Sequence, residues 1–138
     1  MDRRTAARVA AELMLYPVYK IIVEESISEA AYRARVWFPD TSIYRYGVYD
    51  AVLAAISTLE TNERYQRAVA CVQAIERALA RMPRRERWFT ELFYFRNYSP
   101  HELGVSKRTY FRLRSRVLTM VHEELRAAGV HPFADGNT

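Results

Sequence analysis

The sequence predicts an all-α protein, an N-terminal helical region followed by a C-terminal helix-turn-helix. Three observations predict it. Apolar residues recur at three- and four-residue intervals along most of the 138 residues, the spacing of one helix face rather than the alternation of a strand. Half of the chain is hydrophobic, enough for a real core, and only four Gly and five Pro leave little room for low-complexity sequence. From Ser99 onward, a capped short helix, a glycine turn and a second capped helix follow one another within a few residues.

From Asp2 to about Arg35, the positions Val9, Leu13, Tyr16 or Pro17, Ile21, Ile22, Glu25 and Ile27 recur near the helical period, with Asp2 as a candidate cap. Pro17 lacks an N–H and disfavours helical backbone before it, which predicts a kink or a break near Tyr16. Trp37 to Gly47 reads as a connector rich in aromatics and turn formers, its rings packing a loop onto the core. Val48, Val52, Leu53, Ile56 and Leu59 mark a second helix. Tyr65, Ala68, Val69, Val72, Ile75, Leu79 and Met82 mark a third. Between these two, Thr61-Asn62-Glu63 is either a short turn capped by Thr61 or Asn62, or part of one long helix. The third stripe reads as core, with a dimer seam as the alternative.

Pro83 opens a fourth helix, with Trp88, Leu92 and Phe95 as its inner stripe and Phe89 and Phe93 widening it. The single Cys71, on an apolar face, reads as a small core residue and excludes an internal disulfide framework. Ser99 and Pro100 then open a short helix, Gly104 makes a tight turn and Ser106 caps a last helix. Tyr110, Leu113, Val117, Met120 and Val121 share the inner side of that helix at about 100° per residue. Arg108, Arg112 and Ser115 point the opposite way, with Lys107, Phe111 and Arg116 on the flanks. Beyond Leu125 the pattern fades, and residues 129–138 read as a flexible tail. The expected division is 1–80 as a helical, oligomerising region, 81–128 as the helix-turn-helix region and 129–138 as the tail.

Charge is distributed unevenly along the chain, whose formal net charge is +5. Residues 1–80 carry ten basic and ten acidic side chains, residues 81–116 carry ten basic against three acidic, and residues 117–138 carry one against three. All the excess positive charge lies where the helix-turn-helix lies. Such a patch supplies the salt-sensitive, sequence-independent part of nucleic-acid affinity. Arg forks onto guanine edges or phosphate oxygens, and Ser serves either role. The candidate DNA-binding residues are therefore Ser106, Lys107, Arg108, Phe111, Arg112, Ser115 and Arg116, with Arg84, Arg85 and Arg96 as further phosphate contacts.

The segment Leu79-Ala-Arg-Met-Pro83 through Phe95, followed by Ser99-Pro-His-Glu-Leu-Gly-Val-Ser106, resembles region 4 of sigma factors. There a proline precedes a charged helix and an "S-x-x-E" helix leads into "G-[IV]-S-x-x-T". The whole chain is similar to the small phage regulators of the ArpU and RinA families. The shared features are Glu12-Leu-Met-Leu-Tyr-Pro17, Ile75-Glu-Arg-Ala-Leu79 and the C-terminal sigma-like motif. The resemblance implies activation of late phage operons by binding promoter DNA, with Lys107, Arg108, Phe111, Arg112 and Ser115 reading bases. One departure stands out: Glu102 and Ser106 lie only four residues apart, about one helical turn less than in the sigma pattern. Either Tyr94–Tyr98 supports the shortened helix, or the unit is a degenerate helix-turn-helix.

No catalytic constellation appears. His101, His122 and His131 lack metal-ligand spacing, no Gly-rich phosphate loop occurs, and the paired carboxylates Glu24-Glu25 and Glu123-Glu124 diverge by about 100° on a helix. The expectation is a non-enzyme without cofactor or metal. No apolar run is long enough to span a membrane and the N-terminus lacks a secretory apolar region, so the expected location is the cytoplasm. The expected partners are double-stranded DNA, RNA polymerase and a second copy in a homodimer. Two alternatives come from other classes: a packaging protein of the small terminase type, or a sigma-like module that binds polymerase through Trp88, Phe89 and Phe93.

Overall fold

The computed structural model describes residues 1–37 and 62–133. Helix α1 spans Arg3–Trp37, α2 Glu63–Arg81 and α3 Arg84–Phe89, the last continuing as a π-helical stretch over Thr90–Phe95. Helix α4 is Pro100–Leu103 and α5 is Lys107–Ala127. Among the described residues there is no strand, and the chain is all-α. No helix is long and apolar enough to cross a membrane among those residues. The expected second helix at Val48–Leu59, the connector beyond Trp37 and the last five residues lie outside the described residues.

The chain forms two compact units, Met1–Pro17 with Ala70–Thr138, and Val18–Val69. The unit that holds residues 81–128 thus also takes in the first half of α1 and most of α2. In the smaller unit Ala30 and Ala68 are buried, and Arg67 donates from Nη1 to the Tyr19 hydroxyl at 3.4 Å. Asn62 caps α2, its Oδ1 accepting from the Tyr65 N–H at 3.2 Å, which resolves the Thr61–Glu63 alternatives in favour of a helix start at Glu63.

In the larger unit, α1 contributes Val9, Leu13 and Tyr16 to the core, and α2 contributes Cys71, Ala74, Ile75, Ala78 and Met82. The inner face of α2 is centred on small side chains, with Val72 and Leu79 only half-buried at its margins. Cys71 is the core residue expected, its Sγ donating to Glu12 Oε2 at 3.4 Å. Tyr16 stacks on Phe95 with centroids 4.8 Å apart and donates to Glu76 Oε2 at 2.8 Å. Burial and that carboxylate push the Tyr16 hydroxyl well above the usual phenol range.

Of the kink or break expected near Tyr16, the break does not occur, since α1 is helical through Pro17. Proline there removes one backbone hydrogen bond and crowds the preceding turn, a cost of about 3 kcal/mol in a helix interior. Val9, Leu13 and Tyr16 hold the preceding turns against the core, and full burial of one such side chain contributes roughly 1.5–3 kcal/mol.

Helix α3 corrects the expected inner stripe. Phe89, Thr90 and Tyr94 are buried, whereas Trp88 is 38% exposed and Leu92, Phe93 and Phe95 are half-buried. For the residues after Phe89 the physical reason is the π-helical stretch, where Arg96 N–H bonds the Glu91 carbonyl five residues back at 3.1 Å. A wider turn shifts every later side chain off the 3.6-residue face. Thr90 fits inside because its hydroxyl donates to the Glu86 carbonyl at 2.9 Å. The stretch ends at Asn97, which takes a left-handed φ of 59° while Tyr98 N–H closes back to the Leu92 carbonyl at 2.9 Å.

The start of the expected tail is also corrected. Val130 and Phe133 are buried, Val130 N–H bonds the Leu125 carbonyl at 3.1 Å, and the Phe133 ring meets His122 edge-on at 5.9 Å. Gly129, at φ 74°, lets the chain leave α5 in a left-handed cap and fold these apolar groups back. Arg81 pairs with Glu123 at 3.0 Å and with Glu124, joining the ends of α2 and α5.

Candidate nucleic-acid interface

Local chemistry sets the frame. The Ser99 hydroxyl accepts from the Glu102 N–H at 3.1 Å, and the Glu102 carboxylate accepts from the Ser99 N–H at 2.8 Å. This reciprocal box explains how a helix of four residues persists. The same N–H holds the Glu102 carboxyl below the usual carboxylate range. Gly104 follows at φ 70°, a conformation that glycine adopts without steric cost, and its N–H bonds the His101 carbonyl at 3.0 Å. Ser106 then caps α5, its Oγ accepting from the Thr109 N–H at 3.1 Å.

The short α4 lies against the π-helical stretch. Behind α5, Tyr110 packs on Phe89 and Phe93 with centroids 5.9 and 5.3 Å away. Leu113, Val117, Leu118, Val121 and Leu125 are buried along its length. Leu118 belongs to this core although it lies outside the expected stripe, and Met120 is only half-buried.

The opposite face of α5 is open. Lys107, Arg108, Phe111, Arg112, Ser115 and Arg116 are all exposed, Phe111 to 53%. They lie within about two and a half turns of the helix N-terminus, the part that a recognition helix presents to base edges. Ser106 is exposed, but its hydroxyl is engaged in the cap, donating also to Thr109 Oγ1 at 3.0 Å. Arg116 is shared differently: its Nη1 lies 3.4 Å from Oε1 of Glu86, which is almost wholly buried, while its own side chain is 61% exposed.

Along one edge of that face runs a groove lined by Pro83, Glu86, Ser115, Arg116, Thr119 and Met120. It brings the start of α3, with exposed Arg84 and Arg85, beside α5. Arg87 is drawn away from this surface, bonding the Leu79 and Met82 carbonyls at the end of α2 at 3.1 and 3.3 Å. Arg96 is exposed at the far end of the π-helical stretch, three residues before the α4 cap.

The other edge was not foreseen. Met1, Asp2, Arg3 and Ala6 line a notch together with Phe111 and Arg114. Sequence reasoning misses this neighbour because residues 1–80 are charge-balanced as a block and no local signal ties the first turn of α1 to α5. Among the described residues, no group of three or more His, Cys, Asp or Glu side chains is placed to hold a metal ion. No family model, no curated protein and no solved structure matches this chain.

Proposed function

We propose that the protein binds double-stranded DNA by laying the N-terminal half of α5 into a major groove, and that it regulates transcription from the site it reads. The observation that carries this reading is the exposed face of Lys107, Arg108, Arg112 and Ser115, held behind a glycine turn on a capped helix. Helices of this diameter fit the major groove, where Arg and Lys fork onto guanine and Ser accepts or donates to either partner. The left-handed Gly104 and the Ser106 cap support it further, because they fix where α5 begins and hence which side chains lead into the groove. Arg84 and Arg85 supply phosphate contacts beside it.

A phage late-gene activator with a sigma region 4-like motif is the form of this function that the sequence resemblance favours. Two alternatives draw less support. Phe89 is fully buried and Phe93 half-buried, which leaves Trp88 alone of the three aromatics as a surface for polymerase. The small-terminase reading requires a ring-sized oligomer, which light scattering measures directly.

The test is the double variant Arg108→Ala/Arg112→Ala on a duplex selected from a random library by the wild-type protein. It should lose the preference for that duplex over random DNA, with the helical circular dichroism unchanged. Retention of the full preference would remove α5 as the reading element.

A further inference from the structure

The notch between α1 and α5 places Arg3, one of three exposed arginines in the first turns of α1, beside the surface just described. Arg3, Arg4 and Arg8 are exposed, and Arg3 itself lines the notch with Phe111 and Arg114. At about 100° per residue, Phe111 and Arg114 lie toward one edge of the open face of α5, and Arg116 toward the other. Arg108, Arg112 and Ser115 stand between. The Arg116 edge meets the start of α3 at Pro83 and Glu86; the Phe111 edge meets the first turn of α1.

We infer that this first turn of α1 is a second DNA-backbone contact, with Arg3 and Arg4 binding phosphates on the strand that borders the Phe111 edge of α5. The inference rests on the reading of α5 as the groove-facing helix. A helix lying in a major groove is bordered by a sugar-phosphate strand on each side, because the groove is about 12 Å wide and the helix with its side chains nearly fills it. One border meets the start of α3, which carries the exposed Arg84 and Arg85. The other meets α1.

The placement of these charges supports the same conclusion. Arg3 and Arg4 sit in the first turn of α1, which has no acidic residue, and the N-terminal end of a helix disfavours cations. Lys107 and Arg108 repeat the arrangement at the start of α5. A phosphate held between such arginines meets both the guanidinium groups and the positive end of the helix, so the unfavourable placement becomes favourable on binding. The one acidic neighbour, Asp2, is engaged locally: its Oδ1 accepts from the Thr5 N–H at 2.7 Å, which also lowers its carboxyl below the usual range.

The experiment compares the full-length wild type, Arg3→Gln/Arg4→Gln and Arg108→Ala/Arg112→Ala on the selected duplex and a random duplex, by fluorescence anisotropy across a salt series. Loss of two phosphate contacts should flatten the slope of log K against log salt by about 1.8 and weaken both duplexes alike, keeping their ratio. Unchanged affinity and slope in Arg3→Gln/Arg4→Gln, with preference lost in Arg108→Ala/Arg112→Ala, would overturn the α1 contact and leave the α5 reading standing. Preference retained by Arg108→Ala/Arg112→Ala would overturn the α5 reading and this inference with it. Placement is checked separately with an iron chelate on Arg4→Cys, where labelling is selective because Cys71 is buried. Backbone cleavage at the border of the protected segment is expected; cleavage confined to other positions would overturn the inference.

Discussion

Removing the Arg116 guanidinium should destabilise the fold as well as weaken DNA binding, because it leaves Glu86 buried without its partner. The Glu86 residue is 4% exposed and lies 3.4 Å from Arg116 Nη1. Coulomb's law at that distance gives about 1 kcal/mol at the dielectric of water and about 5 kcal/mol at an effective dielectric of 20. The Arg116 side chain is 61% exposed, so solvent screening brings the loss toward the lower figure, about 1–2 kcal/mol for Arg116→Ala. In a Glu86→Gln background there is no buried charge to abandon, and the same substitution should cost under about 0.5 kcal/mol. Urea unfolding of the two single variants and the double variant, followed by far-UV circular dichroism, measures the coupling, which should be about 1 kcal/mol. Equal losses in both backgrounds would refute the reasoning, because Arg116 would then be an ordinary surface residue that Glu86 does not need. The cycle also separates the structural role of Arg116 from its proposed DNA contact. A DNA-affinity defect of Arg116→Ala that persists in the Glu86→Gln background belongs to the DNA contact itself.

Two further outcomes follow from the turn that sets up α5. Gly104 has φ 70° and a Cβ there would meet nothing within 4 Å, so Gly104→Ala should cost only the left-handed backbone penalty of about 1–2 kcal/mol, read as a melting temperature lower by several degrees. Gly104→Val should cost more than Gly104→Ala, since β-branching deepens that penalty while packing stays the same. Glu102 is held ionised by the Ser99 N–H, with its folded-state carboxyl below the unfolded one. Its contribution is therefore fully present above the ordinary carboxylate range and disappears as pH falls through the lowered value. Thermal melts between neutral and acid pH should show this loss in the wild type. Glu102→Gln should lack that component of the pH dependence.

The capped helices α4 and α5 and the glycine turn between them were legible in the sequence because their determinants are local. Ser99 with Glu102, Gly104 and Ser106 each act within three or four residues, and a side chain at such a spacing has few partners to choose from. The inner side of α5 was legible for the same reason, through Leu113, Val117 and Val121. The inner stripe was misread at Leu92 and Phe95 because a π-helical stretch changes the period on which the face assignment rests, and nothing in Thr90–Phe95 announces it. The break expected at Pro17 is a local preference overridden by burial of Val9, Leu13 and Tyr16. Val130 and Phe133 look like the start of a tail when counted by periodicity, since two apolar residues after a glycine make no stripe. The neighbourhood of Arg3 and Phe111 is a contact across more than one hundred residues, and block charge counts conceal it.

Whether the open face of α5 reads DNA is decided by anisotropy titration of the full-length protein on a duplex it selects from a random library, with random duplex as competitor across a salt series. Binding should survive the competitor at physiological salt, with a salt slope reflecting several phosphate contacts. Weak binding, equal on both duplexes and gone at physiological salt, would contradict it and reduce the arginines of α5 to a charged surface.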